Sequence, residues 1–118
     1  MKLQKILLTL ALVVLCNVVA FAQKVTLVNE SGIDFYGIMM SPSDDDEWED
    51  VMGEDMLENG TKVTLTLTNK NKEWDIRFFT DPDDLEHGYI DFSGVDLTGV
   101  TQLRLFIDED GDLAYSIK

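Results

Sequence analysis

Between Thr61 and Thr68, Val63, Leu65 and Leu67 alternate with Thr64, Thr66 and Thr68. A period of two predicts a strand with one apolar face. Glu73 to Thr80 repeats the pattern, with Trp74, Ile76 and Phe78 on one side and Asp75, Arg77 and Phe79 on the other. The polar run Asn69 to Lys72 separates the two. With Lys70 and Asn71 at its tip, a hairpin would pair Leu67 with Trp74, Leu65 with Ile76 and Val63 with Phe78, apolar against apolar throughout. In that register Arg77 faces Thr64, within reach of Asp75 or of an acid from the long loop.

The C-terminal ribbon allows a finer reading. A two-residue Asp110-Gly111 turn would set Ile107 against Ala114 and mix the faces. A three-residue loop, Glu109-Asp110-Gly111, pairs Ile107 with Leu113, Leu105 with Tyr115 and Leu103 with Ile117, and places glycine at the position that needs a left-handed backbone. Lys24 to Asn29 is a further short strand, turned by Glu30-Ser31-Gly32 into a second over Asp34 to Met40. Gly37 there suggests a bulge or a close backbone approach. Gly88 to Phe92 is another strand, and Val95 to Val100 a loop or edge.

One segment breaks the alternation. Ser41-Pro42 has the form of a helix start, with serine as cap, proline in the first turn and Asp44 near the positive end of the dipole. Trp48, Val51 and Met52 follow at helical spacing, and Gly53 is a plausible stop. The expected fold is therefore an all-β, small antiparallel β-sandwich of six or seven strands, with a short helix or helical turn in the 41–58 segment.

The N-terminus changes where this domain is expected to work. Lys2 and Lys5 precede an apolar core, Ile6 to Leu15, and Ala20 and Ala22 stand three and one places before Gln23. This is the pattern of a cleaved secretory signal peptide over residues 1–22. The apolar stretch falls short of the roughly 20 residues of a membrane helix, and Leu15 before Cys16 is unlike a lipoprotein signal. Cleavage leaves a single domain over residues 23–118, secreted or periplasmic, without a cysteine and so without a disulfide of its own.

Loss of two of the nine basic residues and none of the 23 acidic ones would take the formal charge from −14 to −16. Such a field repels nucleic acid and anionic membrane and favours divalent cations or a basic protein. Nine of the acids lie between Ser41 and Gly60, where Trp48, Val51, Met52, Met56 and Leu57 are interleaved, so this segment docks on something. Trp48 has two readings, an anchor that packs its own loop and a contact for a partner or sugar.

Ser41-Pro42-Ser43, Trp48, Asp50, Met52-Gly53, Asp55-Met56-Leu57 and Gly60, followed by Trp74-Asp75-Ile76-Arg77, resemble a group of small secreted bacterial proteins of uncharacterised function. The likeness covers roughly residues 34 to 80. Glutamate after Trp48 and tryptophan at 74 depart from the glycine and tyrosine of that pattern. The resemblance implies secretion and a β-rich fold, and no activity.

Three acidic clusters fall in turns: Asp44-Asp45-Asp46, Asp81 with Asp83 and Asp84, and Asp108 to Asp112 around Gly111. In the last ribbon Asp108 and Asp112 face each other, a repulsion that a bound ion removes, so Asp108, Asp110 and Asp112 are the candidate metal ligands and Ca2+ the candidate ion. Against this stands plain turn chemistry, for which aspartate and glycine are well suited. His87 is the only histidine and Gly88 beside it marks a turn, which leaves zinc and triad chemistry without a partner set. The expected function is an acidic binding or structural module. The alternatives are a small carboxylate-dependent hydrolase and an interaction protein for a basic partner.

Overall fold

The computed structural model describes residues 22–68 and 71–118. Two four-stranded sheets face each other around one core, and the described residues contain no helix. The strands are β1 (Gln23–Asn29), β2 (Gly37–Pro42), β3 (Glu49–Asp50), β4 (Lys62–Leu67), β5 (Glu73–Phe79), β6 (Tyr89–Asp96), β7 (Gln102–Ile107) and β8 (Leu113–Ile117). The first sheet has the order β4-β1-β7-β8 and the second β3-β2-β5-β6. Eight strands replace the six or seven expected, because residues 49–50 add a short strand; the strand expected over residues 88–92 runs from Tyr89 to Asp96. The sandwich is also not wholly antiparallel, since β1 and β7 run parallel.

The period-two faces are where the sequence puts them. Leu65 and Leu67 on β4, and Trp74, Ile76 and Phe78 on β5, are all buried in one cluster with Val25, Leu27, Leu103 and Leu105. The expected β4–β5 hairpin, however, does not exist. β4 pairs with β1, Leu65 opposite Val25, whereas β5 lies between β2 and β6 in the other sheet. Alternation fixes which face of a strand is apolar and leaves the neighbour undetermined, so two apolar faces can meet across a core as well as along a ladder. Asn69 and Lys70 of the expected turn lie outside the described residues, as does the expected signal peptide up to Phe21. β1 likewise passes into the opposite sheet and does not form a hairpin with β2.

No helix forms over residues 41–58. Ser41 and Pro42 instead end β2, opposite Asp75 and Trp74 of β5. Proline is tolerated at a strand end as at a helix start, so the dipeptide alone does not discriminate. Ser41 is fully buried, and its hydroxyl donates to the Asp45 carbonyl at 2.9 Å, holding an irregular loop closed. The chain then forms β3 and crosses the side of the sandwich, burying Met52 and Leu57.

Asn29 secures that crossing. It is wholly buried, and its side-chain amide donates to the carbonyls of Ile33 at 2.7 Å and Leu57 at 3.0 Å. Its Oδ1 accepts from the Ser31 N–H and hydroxyl at 3.1 and 2.6 Å. A buried amide bonded on every side stabilises the end of β1 and the crossing segment together.

Candidate functional site

β7 and β8 pair in the register expected from the sequence, with Leu103 opposite Ile117, Leu105 opposite Tyr115 and Ile107 opposite Leu113. The three-residue loop is present. Asp108 donates its N–H to the Asp112 carbonyl at 2.9 Å, Gly111 donates to the Asp108 carbonyl at 3.0 Å, and Gly111 has φ of 84°. Glycine is required there because a Cβ would strain the left-handed backbone.

The loop gathers its acids. One carboxylate oxygen from each of Asp108, Asp110 and Asp112 lies within 4.8 Å of the others. Asp108 is the fixed member: its Oδ1 accepts from the N–H groups of Asp110 at 2.9 Å and Asp112 at 3.0 Å. That pair of bonds is turn chemistry, and it leaves the second oxygen of Asp108 and the carboxylates of Asp110 and Asp112 directed by a rigid hairpin tip.

The other two acidic turns use their acids differently. In residues 80–88, Asp81 accepts from the Asp83 N–H at 2.9 Å, and Asp84 accepts from the N–H and ring Nδ1 of His87, both at 3.2 Å. The His87 side chain is 79% exposed, as expected of a rim residue. Gly88 has its own structural reason, since a Cβ there would sit 2.7 Å from the Asp84 carbonyl oxygen. Asp44, Asp45 and Asp46 are exposed, and the Asp45 carboxylate accepts from the Asp46 N–H at 2.7 Å.

Trp48 lies half-buried on the outer face of the second sheet, against Arg77. The Arg77 guanidinium lies 4.7 Å from the Trp48 ring centre and 4.0 Å from that of Tyr89. It also forms a bidentate pair with Asp91, Nε to Oδ1 at 2.8 Å and Nη2 to Oδ2 at 2.9 Å. This bond, more than the smaller opposing effect of burial, raises the Arg77 pKa and keeps it charged. Arg77 therefore pairs with Asp91 of β6, where the sequence offered Asp75 or a loop acid. Asp75 is engaged elsewhere, by the Ser43 hydroxyl at 2.8 Å and the Gly94 N–H at 3.0 Å. Asp91 was missed because the sequence reading set β4 beside β5, whereas β6 lies there and brings Asp91 directly opposite Arg77.

At the far end of the sandwich, a concavity of about 680 Å3 is lined by Gln23, Lys24, Lys72, Thr98, Gly99 and their neighbours, with no carboxylate among them.

A solved structure of similar shape is the NMR structure of a protein from Eubacterium rectale, 17% identical over 81% of this chain and 87% of that one, with a TM-score of 0.48. No family model and no curated protein matches the chain.

Proposed function

We propose that the chain works outside the cytoplasm as a small acidic binding module whose β7–β8 turn takes up a divalent cation, with calcium the best-fitting ion. The observation that carries this reading is the convergence of Asp108, Asp110 and Asp112 to within 4.8 Å. Calcium–oxygen bonds of about 2.3–2.6 Å allow ligand oxygens on opposite sides of one ion to stand about 5 Å apart. Water would supply the remaining ligands of a shell of about six to eight, which makes a weak site, suited to the ~0.1–1 mM affinities of extracellular modules. The leader over residues 1–22 supports the location. The high negative charge raises the local cation concentration.

The test is a thermal melt of the purified protein with millimolar calcium and again with chelator. Calcium at about ten times its dissociation constant contributes roughly 1.4 kcal/mol, a rise of about 5–10 °C for a domain of this size. Asp110→Asn removes one ligand and no hydrogen bond of the turn, so it abolishes the rise while the calcium-free melt stays put. Equal shifts in the protein and this variant, or no shift, reject the site.

A further inference from the structure

We propose that β8 is the contact edge of a homodimer, two copies of this chain joining their first sheets into one through antiparallel β8 strands related by a two-fold axis at Tyr115. The inference goes beyond the cation reading and shares only Asp112 with it.

β8 ends the order β4-β1-β7-β8, so one of its sides carries no strand among the described residues. Which backbone groups face that side follows from the ladder. Lys118 and Gln102 exchange backbone bonds at 3.0 and 3.1 Å, and Asp108 bonds the Asp112 carbonyl at the other end. Alternation then turns the N–H and C=O groups of the even-numbered residues toward β7, and those of Leu113, Tyr115 and Ile117 toward the free edge. The strand Leu113-Ala114-Tyr115-Ser116-Ile117 contains no charge, proline or glycine. It thus lacks the usual protections of an exposed edge.

The edge is complementary to itself. With Tyr115 opposite its counterpart, Leu113 stands opposite Ile117 of the second copy, and every outward N–H and C=O of the three odd-numbered residues finds a partner. The apolar rows continue across the junction. Ile107, 38% exposed, and Leu113 line up with Ile117 of the second copy, itself 43% exposed in the single chain. The same register sets Asp112 opposite Lys118 of the second copy on the outer face, and the two-fold axis repeats this pair. Sliding one strand by two residues keeps the bonding parity but in one direction drops Ile117 onto Gly111 of the turn and moves Lys118 from Asp112 to Asp110, and in the other takes Leu113 out of the ladder. Bonding and the apolar rows therefore select one arrangement.

Sedimentation velocity from micromolar to millimolar protein tests it. The expected species is twice the mass of the chain. Ile117→Pro removes a donor that points only to the free edge, so it halves the mass while circular dichroism stays the same. Lys118→Asp also gives a monomer, by setting aspartate against Asp112, and Asp112→Lys in the same chain restores the dimer. That rescue holds even where the proline variant fails to fold, and it is independent of calcium, since it proceeds in chelator. A single chain mass at every concentration overturns the proposal, as does a dimer indifferent to both charge changes.

Discussion

The two long sides of the sandwich are built in opposite ways. On the side of β3 and β4, the chain crosses between the sheets, Leu57 is 1% exposed and bridges to Phe35, and the crossing hangs on the four bonds of Asn29. On the side of β6 and β8, the chain passes from β6 to β7 through residues 97–101, and the edge of β8 carries no strand among the described residues. The Phe92 and Tyr115 rings meet edge to face at 5.0 Å, Ile107 and Ile117 stay exposed, and the hairpin ends in three converging aspartates. The closed side holds buried apolar area and satisfied polar groups, and the open side holds free ladder positions and free carboxylates. Stability therefore rests on one edge of this small domain, and the proposed binding falls on the other.

Substitutions on the closed side should lower stability most. Leu57→Ala removes a fully buried side chain and should cost about 2–5 kcal/mol by urea denaturation, with cation affinity unchanged. Asn29→Ala orphans the Ser31 N–H and leaves the Ile33 carbonyl only the Ser31 hydroxyl at 3.4 Å, while the Leu57 carbonyl keeps the Phe35 N–H, for about 3 kcal/mol. Trp48→Ala frees the acidic loop from Arg77 and should cost about 1 kcal/mol.

The open side should respond weakly. Ile117→Ser, at chelated calcium and low protein concentration, should change unfolding free energy by no more than about 0.5 kcal/mol. A loss above about 2 kcal/mol there would erase the contrast between the sides. The smallest effect is a pH dependence. Asp96 at the end of β6 accepts from the Thr98 hydroxyl and N–H, which together lower its pKa. A carboxyl with a depressed folded pKa stabilises above its unfolded value, near about 3.9, and that contribution is lost as pH falls through the folded one. Denaturation curves of the protein and Asp96→Asn should differ at neutral pH and converge in acid.

The contrast between the sides also shows what is legible in a sequence. The last hairpin is local: alternation, one glycine and loop length fix its register, and the same register brings Asp108 opposite Asp112 with Asp110 over them. Strand faces are legible for the same reason, so Leu103 and Leu105 are buried as their pattern requires. The closed side depends on contacts distant along the chain. Trp48, Val51 and Met52 have helical spacing, yet strand pairing of Ser41 and Pro42 with β5 prevails over it. The Asn29-Glu30-Ser31 turn carries a short-range signal, an asparagine able to cap the residue two places on. Its long-range acceptor, the Leu57 carbonyl, has no signature in the chain.

The central claim is that the hairpin tip is a site, and not merely part of a diffuse acidic field. An amide-resolved NMR titration of the isotope-labelled protein with calcium tests this directly. The account predicts saturable shifts confined to Asp108 through Leu113, with a millimolar or tighter midpoint, absent in Asp110→Asn. Shifts that grow without saturation and spread equally over the loops at 44–50, 81–87 and 108–112 would contradict it.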